Sequence, residues 1–325
     1  MKVSGRDLVS GILTTSVMIA GVVFLGKYSM PLKLALPLPM IYYRAAFGRP
    51  GGAMVLAGCI LTMLLFGGNS ISGDNMVYYS GLLFLGFLTQ ECLERGFSLE
   101  KTVVFSLAGV VVAWVLVMMV IQGGSQGYVE AKNQEMIQDL NTLLNNLQES
   151  GALEKSGTEI TQENREQTIR LLVLVSIGFT LSWGLFVAWF NVWIARFLYA
   201  RQGWTYPDYD PPILWKAPEP LVWVAIACFG GATFFQGGIK DISLVFGIVV
   251  LAIYVMNGVA IVAFYMDKFH IPWPQRVLIL GMVFIAGFPI MLPVLTGLGL
   301  FDLWADFRKL QKKGFTEDNN EGDLN

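Results

Sequence analysis

Charge is what this 325-residue sequence has least of. Asp, Glu, Lys and Arg make up 14% of it, where a soluble domain carries about 25%. Net charge is −2, so there is no basic field for nucleic acid and no nucleic-acid partner is expected. Histidine is nearly absent: His270 is the single one. The three cysteines, Cys59, Cys92 and Cys228, lie in or at the end of apolar runs and form no C-x-x-C pair. They read as small buried hydrophobes, which excludes a disulfide-stapled module. Together these shortages argue against a metal site built on the usual ligands. A Ser-His-Asp triad would have to use His270, and no G-x-S-x-G motif accompanies it. No catalytic residue, metal ligand or cofactor is assigned, and the expectation is a protein that is not an enzyme.

Apolar residues are what the chain has in abundance, at 54%, with a mean hydropathy of +0.57. Thirteen prolines and 35 glycines accompany them. The expectation is an all-α polytopic membrane bundle of about eight to ten spans at roughly 20 residues each. Its partner is then the lipid bilayer. Candidate spans run about Leu8–Gly26, Ala53–Phe66, Val77–Cys92, Val103–Gln122, Ile169–Leu198, Leu221–Gln236 and Ile242–Met266. Leu8–Gly26 ends without an A-x-A-like cleavage site and reads as an uncleaved helix.

Two further stretches are irregular. Near 34–44, Pro37 and Pro39 each remove a backbone donor and cannot both sit in a helix interior. This predicts a broken or partly extended crossing that departs from regular helix near Leu36–Pro39. Such backbone must be buried in protein or line a cavity. Arg44 should then mark its cytoplasmic end, with its charge at the interface rather than buried. Near 277–307 the apolar run is too long for one span, and Pro289 and Pro293 predict a bent helix pair.

Four segments follow: membrane helices over 1–122, an extracytoplasmic amphipathic helical loop over 123–168, membrane helices over 169–307 and a polar cytoplasmic tail over 308–325. Within the loop, Met136, Leu140, Leu143, Leu144 and Leu147 repeat at helical spacing. The Lys and Arg bias places Arg44, Arg49, Arg95, Lys101 and the tail inside. This predicts a bacterial cytoplasmic (inner) membrane protein with both termini in the cytoplasm.

Polar groups inside the membrane are costly and mark candidate sites. Asn191 and Asn257 qualify, as helix glue or, with Pro37 and Pro39, as a ligand-binding frame. Arg44, Glu91, Glu94, Arg95, Asp302, Asp306 and Arg308 form a predicted cytoplasmic-end charge cluster. Asp302 and Asp306 are one helical turn apart and should share a face. Gly109 with Ala113 and Ala227 with Gly231 have the spacing of close helix contacts. The tryptophans, Trp183, Trp189, Trp193, Trp204, Trp215, Trp223 and Trp273, suit interfacial belts or an aromatic cage for a cation or flat ligand.

Three stretches carry a family resemblance: Leu36-Pro37-Leu38-Pro39 followed by Arg44; Leu93-Glu94-Arg95-Gly96-Phe97-Ser98; and Gly299-Leu300-Phe301-Asp302-Leu303-Trp304-Ala305-Asp306-Phe307-Arg308. The chain resembles the YybS-like family of bacterial multi-pass membrane proteins, from about Leu8 to Lys309. That family is distantly related to the substrate-binding S components of energy-coupling-factor transporters. The resemblance implies a helical bundle that holds a small solute, and no catalytic residues. The A-x-x-x-A spacing with which S components dock a coupling subunit is absent from Leu8–Gly26.

Two functional expectations remain. One is a small-solute-binding or transport-related component. The other is a non-transporting scaffold or assembly factor that holds a membrane protein partner through the 128–153 helix.

Overall fold

A computed structural model describes residues 4–67, 71, 73–121, 134, 137–138, 141–142, 146, 162–207, 209, 211, 213–272, 274–276, 278–279 and 288–308. No strand occurs among them. The principal helices are α1 (Gly5–Leu25), α2 (Met30–Ala35), α3 (Pro37–Phe66), α4 (Gly73–Glu94), α5 (Leu99–Ile121), α6 (Gln162–Gln202), α7 (Leu221–Phe234), α8 (Gly238–Lys268) and α9 (Phe288–Ala305). The protein is an all-α polytopic bundle. Among the described residues, five spans are long and apolar enough to cross a membrane: Gly5–Leu25, Met30–Phe66, Leu99–Val117, Arg170–Gln202 and Gly238–Lys268. Leu221–Phe234 and Ile290–Ala305 are shorter apolar helices.

The chain divides into two compact units, Met1–Met136 with Trp183–Tyr209, and Ile137–Ser182 with Asp210–Asn325. This division cuts through α6 instead of following the loop at 123–168. The amphipathic helix expected at 128–153 lies largely outside the described residues; 134, 137–138, 141–142 and 146 are helical.

In the first unit, α1 begins with a capping box in which Ser4 and Asp7 serve each other's backbone N–H groups. Such a cap satisfies two donors that the first turn leaves free. Its buried residues, Gly11, Thr15, Ile19 and Val22, recur every three or four positions and form one stripe against α3. Its other faces carry exposed Val9, Leu13, Val17 and Phe24, as a lipid-facing helix does.

The chain breaks between α2 and α3. Leu36 is a turn residue and Pro37 starts the next helix. A missing N–H costs nothing in a first turn, where no carbonyl awaits it. Leu36 keeps right-handed helical angles (φ −59°, ψ −31°), so the break is a step between helices and not an extended crossing. Leu36 and Pro37 are buried. The carbonyl of Leu34 receives a hydrogen bond from Asn191 Nδ2 at 2.8 Å. A side chain from α6 thus supplies the donor that the broken ladder lacks.

A second break lies inside α3 at Gly48 (φ 70°, ψ −177°), with Pro50 just beyond. That conformation belongs to glycine almost alone. A Cβ there would meet nothing within 4 Å, so the cost of a side chain is purely conformational. Gly48→Ala should lower stability by about 1–3 kcal/mol. Gly5→Ala, which has open space and an ordinary φ, should not. Thermal unfolding of the detergent-solubilised protein separates the two.

In the second unit, α8 packs against both α7 and α9. Gly231 of α7 lies against Ser243, and Gly258 and Gly299 bring α8 and α9 into backbone contact. Pro289 falls in the first turn of α9, and Pro293 sits inside it. The bent pair was expected around Pro289 and Pro293: both fall within one helix, Phe288–Ala305, and residues 280–287 before it lie outside the described residues. Tyr254 is fully buried among Ala217, Val250, Leu300 and Leu303.

Candidate functional site

The first unit brings five charged side chains together: Arg44, Arg49, Glu91, Glu94 and Arg95. On α4, Phe87, Glu91 and Glu94 recur at helical spacing and share one face. That face meets Arg44 of α3. Arg44 Nη2 donates to Glu91 Oε2 at 2.5 Å and to Glu94 Oε2 at 3.0 Å, and Nη1 donates to Glu94 Oε1 at 2.9 Å. The guanidinium also lies 5.4 Å from the Phe87 ring centre. Glycine makes this approach feasible: a Cβ at Gly52 would come 2.8 Å from Arg44 Cδ, and one at Gly86 would come 3.0 Å from Met40 Cβ.

Arg44 has no solvent exposure. This corrects the expectation that its charge sits at the interface. Burying a lone cation is costly; two carboxylates and an aromatic face offset that cost, although the buried Nε has no partner among the described residues. Arg49 and Arg95, both exposed, bind the outer side of Glu91.

Beside this cluster the end of α6 turns back. Gly203 (φ 66°) follows the helix, and Trp204 N–H donates to the Tyr199 carbonyl at 3.0 Å. This is the glycine-dependent closure of a helix C-terminus. It lays Trp204 on Tyr42, with ring centres 5.5 Å apart, and sets it edge-on to Tyr199 at 5.5 Å. Tyr206 meets Tyr199 at 5.2 Å and Tyr209 at 5.6 Å. Tyr206 Oη donates to the Val192 carbonyl at 2.6 Å, and Tyr209 Oη to that of Phe97. Burial pushes both phenols above their ordinary pKa, so both remain protonated donors.

Between these elements lies an open cleft of about 470 Å³, lined by Gln90, Glu94, Tyr199, Trp204, Thr205 and Tyr206 among others. Gln90 is 1% exposed and its Oε1 accepts from Tyr199 Oη at 2.7 Å. The volume falls within the range of about 300–1,000 Å³ seen for small-molecule sites.

The predicted site residues are distributed differently. Arg44, Glu91, Glu94 and Arg95 do come together. Asp302 and Arg308 form a separate buried pair at 2.7 Å in the second unit. There Arg308 Nη2 also donates to Asn257 Oδ1, and Nη1 to the carbonyls of Ile213 and Trp215. Arg308, assigned to the polar tail, thus turns back into the unit and is 5% exposed. The helix ends at Ala305, and Asp306 follows with φ 40°, so Asp306 does not share a helical face with Asp302. Asn257 Nδ2 donates to the Gly299 carbonyl at 2.8 Å, and Asn191 also donates to that of Val187 at 2.7 Å. Asn191 and Asn257 belong to different units, and neither they nor Pro37 and Pro39 line the cleft. Pro37 packs on Gly86 instead.

Sequence reasoning passed over Tyr42, Tyr199, Tyr206 and Tyr209. Their signal was present: four aromatic residues within 199–209, with Gly203 as the turn that folds them back. His270 is exposed in a turn, and no group of three or more candidate metal ligands occurs among the described residues.

The sequence pattern of one family, described as "Predicted membrane protein (DUF2232)", matches residues 12–303. No curated protein and no solved structure matches the chain.

Proposed function

We propose, starting from the fact that the chain belongs to the DUF2232 family of membrane proteins, that its first unit binds a small solute in the cleft beside Glu94. The observation that carries this reading is the cleft itself. It joins a buried amide, a half-exposed carboxylate and three aromatic rings around a space of about 470 Å³. Apolar walls with a few convergent polar groups are the usual form of a small-molecule site. The proposed role is binding, not catalysis. The resemblance to the YybS-like family, itself distantly related to S components, supports a solute-holding bundle, and the missing A-x-x-x-A argues for binding without a docked motor subunit.

The charge bias of the loops supports a cytoplasmic opening for this cleft. Arg44, Arg49 and Arg95, the cations assigned to the inside, gather around Glu91 and Glu94 at its edge.

Thr205 is exposed and lines the cleft, so a large side chain there fills the space without disturbing the core. The intact protein, extracted from its native membrane in mild detergent, should carry a small-molecule adduct in native mass spectrometry. Thr205→Trp should lose the adduct while unfolding at an unchanged temperature. An adduct retained in Thr205→Trp, or none in the parent protein, refutes this function.

A further inference from the structure

We infer that the cleft takes an organic cation: an amine or quaternary ammonium group attached to a flat or apolar body. The inference rests on the cleft being a solute site and names the chemistry of that solute.

Three observations carry it. First, the lining includes one carboxylate, Glu94, and no lysine or arginine. Arg44 is close by but cannot serve an anion, because it lies fully buried with both terminal nitrogens engaged by Glu91 and Glu94. Arg49 and Arg95 are spent on Glu91. In the Arg44–Glu94 pair the exposure is one-sided: the Glu94 side chain is 39% exposed and Arg44 0%. The carboxylate is thus the member of the pair that reaches the cleft.

Second, the aromatic rings are set as walls. Trp204 and Tyr206 each stand nearly perpendicular to Tyr199, at 85° and 77°. All three line the cleft, with one face of Trp204 taken up by Tyr42, and aromatic ring faces carry the negative end of the quadrupole. Third, the polar tips do not compete. The hydroxyls of Tyr199 and Tyr206 are donated to Gln90 Oε1 and to the Val192 carbonyl. The walls therefore offer π surface and acceptor groups, which favour a cation with an apolar body over a carboxylate or phosphate.

The test uses the intact protein in phosphatidylcholine nanodiscs, with empty nanodiscs as reference, and isothermal titration of three probes of similar size. Benzyltrimethylammonium should bind saturably at one site. Benzyl alcohol and benzoate should bind at least tenfold more weakly. Trp204→Leu and Glu94→Gln should each weaken the cation by about tenfold, the size expected when a desolvated cation–π or charge contact is lost. Glu94→Gln also disturbs the Arg44 pair. Trp204→Leu leaves that pair intact, so it decides the matter if the first variant unfolds. Benzoate or benzyl alcohol binding as tightly as the cation, and lost in Trp204→Leu, overturns the cation assignment while sustaining the cleft as a solute site. Cation binding that survives both variants overturns the assignment too. If no probe binds at a site blocked by Thr205→Trp, the cation assignment falls, and an adduct absent from native mass spectrometry then takes the solute-site reading with it.

Discussion

Replacing Glu91 and Glu94 together by glutamine should cost about 3–5 kcal/mol of stability, the range for leaving a buried charge without its partner. Arg44 has no exposed surface, and these two residues supply all its ionic partners among the described residues. With both neutralised, the guanidinium keeps only neutral acceptors and the Phe87 ring. Removing the other side of the pair should cost less. In Arg44→Met the carboxylates left behind are not stranded: Glu94 is 39% exposed, and Glu91 keeps Arg49 and Arg95. Methionine also fills the space beside Gly52 with an apolar stem. The double glutamine variant should therefore unfold at a clearly lower temperature than Arg44→Met. Denaturation of the purified proteins in the same detergent measures the difference. An Arg44→Met variant less stable than the double variant would show that the ion pair is not what holds α3 to α4.

An equally large effect is expected at Gly299. A Cβ there would lie 2.8 Å from the carbonyl carbon of Tyr254 and 3.0 Å from the Gly258 nitrogen, and one at Gly258 would lie 2.8 Å from the carbonyl carbon of Leu295. These are backbone atoms, so no rotamer change relieves the clash. The two helices would have to separate, stretching the Asn257–Gly299 hydrogen bond and exposing Tyr254. Gly299→Ala should cost about 3 kcal/mol, the upper end for overpacking. Gly297, two residues away, has nothing within 4 Å of a Cβ. Gly297→Ala should be neutral or gain up to about 1 kcal/mol, because alanine is the better helix former. Opposite signs from the same substitution, read by thermal unfolding, would locate the α8–α9 contact. Equal shifts would refute it.

Much of the fold was legible in the residues. Charge scarcity and apolar runs declared a helical membrane bundle, since a bilayer leaves few other ways to satisfy the backbone. Pro37 and Pro39 placed the α2–α3 break, because a missing N–H acts locally and needs no partner to take effect. Arg44, Glu91, Glu94 and Arg95 were expected in one charge cluster, and they do come together. One member of each small pair, Gly109 against Leu88 and Gly231 against Ser243, proved to mark a close approach. The Gly258–Gly299 contact escaped notice because its two residues lie on different helices.

The tertiary structure alone decided which faces meet. Helical periodicity states which side chains lie together on one element, and it is silent on the element opposite. Arg44 could be read as interfacial because its two carboxylates lie 47 and 50 positions away, and only packing across Gly52 and Gly86 brings them to it. Of the seven residues expected in one charge cluster, Asp302 and Arg308 close on each other and on Asn257 within their own unit. The cleft was hidden for the same reason: Gln90 and Glu94 come from α4, and the aromatic walls from the end of α6 and the turn beyond it. Composition and local backbone chemistry determined the class of the protein and the places where its helices break. The buried ion pair and the cleft exist only where several helices converge, and that convergence depends on side-chain volumes at glycines far apart in the chain.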